Sequence, residues 1–424
     1  VTARIMRFLH CADIHLDSPL RGLERYEGAP VEQVRGATRR AFENMVQCAL
    51  REKVDFVVIA GDLYDGDWPD FNTGLFFAKG MAQLGESGIA VYVVRGNHDA
   101  ASKLTRSLPL PKNVHLFPDR APKTLTDDNL GLAVHGQSFA TAAVFDDLAA
   151  DYPRAVPGYF NLGALHTSLT GRPGHDNYAP TTELILKSKG YDYWALGHVH
   201  AREIVSRDPW VAYPGNMQGR HIREQGAKGC ELVTVEDGSI TTESVALDVL
   251  RWSEIAIDVG GIPDLDALLD RAAVDVRTEL SKADGRIVGV RLRLHGTGTV
   301  HREVSAQPEV IAEQFRAVAL DASGGNAWVE KVDLRVRPPF EVDRFAAGDD
   351  PVALLVREIK ALAQDQGTLS SFANDALREL KQKLPAELGQ DEELRLDAPD
   401  VLRELLREAE GELLARLAGE RGAQ

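Results

Sequence analysis

From Arg4 to about Val245 the chain alternates short apolar runs of strand length with amphipathic segments, the pattern of a layered α/β domain. The runs stop at Asp13, Asp62, Asn97, His166 and His198, each followed by a loop signal, so polar side chains suited to metal binding sit where strands end. Loops at strand ends of layered α/β folds converge on one edge and build the site there.

Around Leu250 the texture changes: a strand-like Trp252 to Val259, a Gly-Gly-Ile-Pro break, a helical stretch from Asp264 to Ser281, alternation from Ile287 to Leu294, a helix over Glu309 to Leu320, and a strand from Ala327 to Val336. This predicts a small α+β domain with two helices against a sheet. Pro338-Pro339 and Gly348 to Pro351 mark a linker. Three amphipathic helical segments follow, one through Val352 and Leu362, one from Leu369 to Leu384 and one from Val401 to Leu417. Their apolar stripes suit either a self-packed bundle or a face that docks on a partner. The expected domains are residues 1–247, 248–340 and 341–424.

Composition narrows this picture. No apolar run approaches the roughly 20 residues of a membrane helix, and Cys11, Cys48 and Cys230 lie far apart without ligand spacing, which suits buried thiols in a reducing cytoplasm. A net charge of −16 argues against gripping nucleic acid by overall electrostatics, so a polyanionic substrate would have to be held locally. Part of the excess lies in the tail, where 17 acidic residues face 10 basic ones from Phe345 onward.

Five motifs carry chemistry: Asp13-Ile-His15, Gly61-Asp62-Leu-Tyr-Asp65, Gly96-Asn97-His98-Asp99, His166 at a strand end, and Gly197-His198-Val-His200. Alone, each has an ordinary reading: a chance pair, a turn aspartate, a satisfied core histidine. Together, in order and all at strand ends, they use five of the 12 histidines with four carboxylates and an amide, and no thiol. Such a mixed nitrogen and oxygen set suits Mn2+, Fe or Zn2+, and it is too large for one ion. Neither a P-loop nor a Gly-x-Ser-x-Gly elbow is present.

This motif order resembles the calcineurin-like metallophosphoesterase superfamily over about the first 220 residues. The resemblance implies a layered β-sandwich flanked by helices. It assigns Asp13, His15 and His200 to one metal, Asn97, His166 and His198 to the other, and Asp62 as the bridge. A bridging carboxylate holds two cations about 3.5 to 4 Å apart, where both oxygens of an in-line displacement are clamped and a bridging hydroxide is the nucleophile. His98 then faces the leaving group, oriented by Asp65, while Asp99 reads as a turn residue or a hydrogen-bonding support of the site rather than a catalytic group.

Gly-Asp-Leu-Tyr-Asp lacks the Arg-Gly of Ser/Thr protein phosphatases. His10 to Leu20 and Tyr213 to His221, with the order of domains, are similar to the YhaO branch of SbcD-type DNA repair exonucleases. That implies a Mn2+-dependent DNA phosphodiesterase, a homodimer, and an SbcC-type ATPase on the C-terminal helices. Arg220 and His221 read as phosphate contacts or a structural turn. The arginines from Arg21 to Arg40 read as phosphate contacts or a solvated loop, and Trp68 and Phe71 as a base stack or core. A small-molecule or cyclic-nucleotide phosphodiesterase is the alternative, and a non-catalytic scaffold the remote one.

Overall fold

The computed structural model describes residues 5–20, 36–65, 72–101, 110–171, 176–339, 348, 350–383, 396 and 398–421. By internal contacts the chain forms two units: Val1–Ser253 with Glu279–Val290 and Asn326–Glu330, and Glu254–Thr278 with Arg291–Gly325 and Lys331–Gln424.

In the first unit the order is β1 (Ile5–Cys11), α1 (Ala37–Glu52), β2 (Phe56–Ala60), α2 (Asn72–Glu86), β3 (Ala90–Val94), α3 (Asn97–Ala101), β4 (Val114–Leu116), β5 (Lys123–Asp127), β6 (Leu132–Gly136), β7 (Phe160–His166), α4 (Glu183–Ser188), β8 (Tyr193–Gly197), β9 (Glu203–Arg207), β10 (Trp210–Tyr213), β11 (Gly229–Glu236) and β12 (Ser239–Ala246). Two six-stranded sheets result, in the orders β12-β11-β1-β2-β3-β4 and β5-β6-β7-β8-β10-β9. β1, β2, β3 and β4 run parallel to one another, as do β6, β7, β8 and β10, with antiparallel strands at the flanks.

Alternation within the strands makes the layers. Phe8, Phe56, Val58 and Ala60 face the second sheet and bury against Leu132, Leu162, Ala164, Tyr193 and Ala195. Leu9, Cys11, Val57 and Ile59 point the other way, onto Phe42, Met45 and Val46 of α1 and Phe77 and Met81 of α2. Because both faces are covered, Phe56-Val-Val-Ile-Ala60 is buried throughout, and its apolar run is unbroken. α1 stops where Lys53 turns left-handed at φ 52°, its N–H returning to the Ala49 and Leu50 carbonyls. Beyond the second sheet, Trp194, Leu165 and Leu196 pack on Tyr152, Leu186 and Tyr191.

One polar staple crosses the sandwich. Buried His10 donates from Nε2 to the Leu196 carbonyl (3.1 Å) and pairs through Nδ1 with the Tyr193 hydroxyl (3.0 Å). Burial pushes its pKa down to about 3, so it stays neutral and ties the sheets just below the strand ends.

Beyond the sandwich come β13 (Leu250–Asp258), α5 (Leu265–Ser281), β14 (Ile287–Thr297), α6 (His301–Ala306), α7 (Pro308–Ala322) and β15 (Ala327–Arg337). Their sheet runs β13-β14-β15. Within the first unit, Trp252 and Trp328 bury with Leu20, Ile222 and Leu250. Three helices stand here where two are expected: α6 escapes the apolar pattern because it is six residues long and Pro308 restarts the chain as α7.

The tail forms α8 (Pro351–Gln364), α9 (Gln366–Ala376), α10 (Arg378–Lys383) and α11 (Pro399–Arg421). The segment read as one helix from Leu369 onward is broken at Leu377, and Leu384 lies outside the described residues. Leu369, Ala373 and Leu402 bury together, while Leu354, Phe372, Leu380 and Leu413 stay exposed.

Gly163 of β7 tests the sandwich directly, because a Cβ there would lie 2.4 Å from the indole of Trp194. Gly163→Ala should destabilise the protein by about 1–3 kcal/mol, read as a lower urea midpoint at unchanged m-value.

Candidate metal centre

Parallel strands deliver the polar motifs to one edge. β1 ends at Cys11, β2 at Ala60, β3 at Val94, β7 at His166 and β8 at Gly197, and His166 sits opposite Gly197 in the ladder. Beyond these ends the backbone turns sharply. Asp13 (φ 48°), His15 (45°), Asp62 (50°) and His198 (99°) all lie in the left-handed region, at a cost of about 1–2 kcal/mol for each non-glycine residue.

A lattice of hydrogen bonds holds that strain. Asp13 N–H donates to Gly61 O (3.0 Å), and His15 N–H to Asp62 O (3.1 Å). The Asp99 carboxylate accepts from the N–H groups of Leu63, Tyr64 and Gly96 at 2.9–3.1 Å, joining the second motif to the third. Asp13 accepts from His198 N–H (3.0 Å) and Asp62 from His98 N–H (3.0 Å). Gly96 admits no side chain, since a Cβ would meet Asp62 Oδ1 at 2.2 Å.

The side chains converge. His15 Nε2 lies 3.2 Å from His200 Nε2 and 4.0 Å from Asp62 Oδ2, and His200 Nε2 is 3.7 Å from Asp13 Oδ1. On the other flank His166 Nε2 is 3.0 Å from Asn97 Oδ1 and 3.4 Å from Asp62 Oδ2. Asp13, His15 and His200 form one group whose ligand atoms lie within 4.8 Å of each other; Asp13, Asp62 and His166 form another, and His15, Asp62 and His98 a third. Ligand bonds of about 2.1 Å place neighbouring donor atoms about 3.0–3.4 Å apart, close to these separations.

Proton placement fits the same chemistry. His166 donates from Nδ1 to the Ala60 carbonyl (3.0 Å), and His198 from Nε2 to the Asp176 carbonyl (2.7 Å). His200 gives Nδ1 to Glu224 (2.7 Å). A carbonyl or carboxylate on one ring nitrogen leaves the lone pair on the other, the outer support typical of histidine ligands. His98 differs: its Nδ1 sits 3.0 Å from Asp65 Oδ1, and its side chain is 40% exposed where those of His15 and His166 are 1% and 0%. It stands at the mouth of the cluster rather than in its floor.

Residues 6–202 match the family described as calcineurin-like phosphoesterase, and residues 252–337 match the middle domain of metallophosphoesterase YhaO. Over 327 residues the chain is 37% identical to the "Uncharacterized metallophosphoesterase YhaO" of Bacillus subtilis (strain 168), covering 74% of this chain and 80% of that protein. This chain is a member of the metallophosphoesterase family. It is also 28% identical over 355 residues to the "DNA double-strand break repair protein Mre11" of Methanopyrus kandleri, covering 78% of this chain and 71% of that one.

The electrostatics of this metallophosphoesterase site call for cations. Burial pushes the Asp13 carboxyl up to about 7, helped by the nearby Asp62 carboxylate and opposed by His166. Burial acts on Asp62 in the same direction, yet the imidazoles of His166, His15 and His98 outweigh it and hold the group well below the carboxylate range. Burial also disfavours charge on His166, but Asp62 and Asp13 raise its pKa to about 9. His15 and His200 fall to about 4 and 3, chiefly by burial, and stay neutral. Without metal, a His166 proton supplies the positive charge that two buried carboxylates require.

The expected substrate contacts fare differently. Arg220 lies beside the cluster, with Nη1 3.8 Å from Asp65 and Nη2 3.4 Å from Glu224. His221 turns to the same glutamate at 3.5 Å. Arg39 is held by Asp17 through two contacts of 2.6 Å and lies over the Phe76 ring. Arg21, Trp68 and Phe71 lie outside the described residues.

Two positions escaped the sequence reading. Glu224, 6% exposed, accepts from His200, from Asn216 Nδ2 (2.8 Å) and from the Arg220 N–H (2.6 Å). The Asp176 carbonyl fixes His198. A backbone carbonyl has no sequence signal, and Glu224 stands 24 residues beyond His200 among other polar residues, with no spacing to mark it.

Glu224→Ala should weaken binding of one Mn2+ by about 10–100-fold, measured by competition with a chelating dye. Since His166 and Asp13 carry protons in the metal-free protein near neutrality, Mn2+ binding at pH 7 should release protons, and affinity should fall as pH drops below 7. Titration calorimetry in two buffers of different ionisation enthalpy reads the release; none at pH 7 would contradict the assignment.

Proposed function

We propose that this metallophosphoesterase is a Mn2+-dependent phosphodiesterase of the cytoplasm that cuts DNA, the nuclease subunit of a repair complex. The observation that carries the catalytic part is His98, held at the mouth of the cluster by Asp65 at 3.0 Å. Support for the DNA part comes from the Methanopyrus kandleri relative, whose printed name is that of a DNA double-strand break repair protein.

Two divalent ions, when bound, supply an activated water and clamp the phosphoryl oxygens. Asp13, His15 and His200 would hold one, Asn97, His166 and His198 the other, with Asp62 between them. The chain's own residues do the rest. Asp65 accepts from His98 Nδ1–H, and when the ring is protonated Nε2 also carries a proton that it can give, or share in a hydrogen bond, with the departing oxygen. Burial opposes charge on His98, but the hydrogen bond to Asp65 and the nearby Asp62 carboxylate outweigh it and raise its pKa, which favours the protonated, donating ring. Ser18 donates to the second oxygen of Asp65 (2.8 Å), and Arg220 faces the first, so the orienting carboxylate is itself fixed.

In this reading a homodimer of the chain works with an SbcC-type ATPase, which docks on the C-terminal helices. The exposed Leu354, Phe372, Leu380 and Leu413 of that region are the surface it would cover.

With Mn2+, the wild type should degrade linear duplex or single-stranded DNA, and His98→Ala should lower turnover by at least about 100-fold while two metals per chain remain bound by elemental analysis. Hydrolysis of bis-p-nitrophenyl phosphate without cleavage of any DNA, with or without the ATPase, would move the assignment to a small-molecule phosphodiesterase.

A further inference from the structure

The His198 flank of the centre carries an aromatic series. The Tyr178 ring lies 5.8 Å from the imidazole of His198, tilted by 56°. Phe145 lies 5.8 Å beyond Tyr178, again tilted by 56°. Two ring-to-ring steps thus lead from a candidate metal ligand to a phenyl ring that is 71% exposed.

The loops bearing these rings are anchored. Ala179 N–H donates to Val144 O (2.7 Å), joining the segment of Phe145 to that of Tyr178. The Tyr178 hydroxyl donates to Asp176 (3.1 Å), whose carbonyl holds His198, and Ser168 Oγ lies within hydrogen-bond reach of Asn177 Oδ1 (2.6 Å) and the Tyr178 carbonyl (3.0 Å). Beneath them, Ala100 of α3, Phe139 and Ala179 form a small core that Val144 and Tyr178 partly cover. Phe139 in turn meets the His166 ring edge-on at 5.5 Å. The backbone next to Phe145 is therefore tied to the loop that supports His198, and its ring stands open to solvent beside Tyr178.

A lone exposed phenylalanine is unremarkable; one standing two rings from a phosphodiesterase centre is placed to act. Among the described residues its charged sequence neighbours are acidic. Asp146 follows it, Asp147 caps the 3-10 helix Leu148–Asp151, and Asp176 lies beside Tyr178. These carboxylates repel phosphate, so the backbone of a bound strand would keep to the cations and to Arg220 while a neutral group covers the rings. A nucleobase is such a group, and its flat face suits any aromatic platform irrespective of sequence.

We propose that Phe145, backed by Tyr178, is a stacking platform for an unpaired nucleobase flanking the scissile phosphodiester, so that the strand enters the centre single-stranded or frayed. The proposal rests on the nucleic-acid reading above. It also answers a difficulty in the composition: a chain of net charge −16 gains affinity for a polyanion from stacking, without a basic surface.

The test is a coupling between residue 145 and the base. Steady-state cleavage by the Mn2+-loaded full chain is measured on a single-stranded oligonucleotide and on copies with abasic sites flanking the scissile bond. Stacking strengths predict that Phe145→Ala raises KM on the intact strand by about tenfold, that the abasic strand costs the wild type a similar factor, and that the variant loses little further on it. Phe145→Trp should restore the wild-type KM. An equal loss for the variant on intact and abasic strands, or a KM indifferent to residue 145, overturns the platform while leaving the nuclease reading intact. A wild type that hydrolyses bis-p-nitrophenyl phosphate yet neither binds nor cuts any oligonucleotide overturns both.

Discussion

Two buried carboxylates, Asp13 and Asp62, set the terms for the rest of the molecule. Removing such groups from water costs several kcal/mol each unless positive charge accompanies them, and both are at most 2% exposed. Imidazoles surround them, one of which must be protonated when no metal is present. The backbone accepts left-handed conformations at Asp13, His15, Asp62 and His198 to present these groups. A protein needing only stability would have no cause to combine buried like charges with strained turns. The combination makes sense as a preformed seat for cations.

The sandwich supplies the stiffness that this arrangement demands. Parallel strands in both sheets end at one edge, so ligands far apart in the chain meet without long loops of their own. His10 and Tyr193 join the sheets beneath the site, and His166 reaches from the second sheet to the Ala60 carbonyl of the first. Each cross-sheet bond fixes the relative height of the two strand sets, which the distances between Asp62, Asn97 and His166 require. Packing and chemistry are thus coupled: a shift at the Gly163 and Trp194 contact would be felt where β7 and β8 end.

Much of this was legible in the sequence, for a physical reason. A strand buried on both faces reads as an unbroken apolar run, and a polar residue at its end stands out against it. Asp62 after Phe56-Val-Val-Ile-Ala60 is the clearest case; the same contrast gave the layered α/β domain, while the two-sheet sandwich came from the family resemblance. Glu224 and Asp176 were not legible, because a support needs only to reach a ring nitrogen, which many residues or a backbone carbonyl can do. The break at Leu377 and the short α6 were hidden for a different reason: apolar periodicity continues across a local kink, and a six-residue helix is too short to show it.

The charge around the centre bears on how a strongly acidic protein would handle a phosphate ester. Asp99 is occupied by three backbone N–H groups, Asp65 faces His98 and Arg220, and Glu224 faces His200, His221 and Arg220. The carboxylates placed to ligate bound cations directly are Asp13 and Asp62. Two divalent ions carry twice the charge of these two ligands, a local attraction that the whole-chain charge conceals. Away from that spot the acidic surface repels a polyanion, so a strand would be drawn to the metals alone, and any further hold on it has to come from groups that bind without charge. Aromatic rings beside His198 meet that requirement, and a second basic groove is not needed.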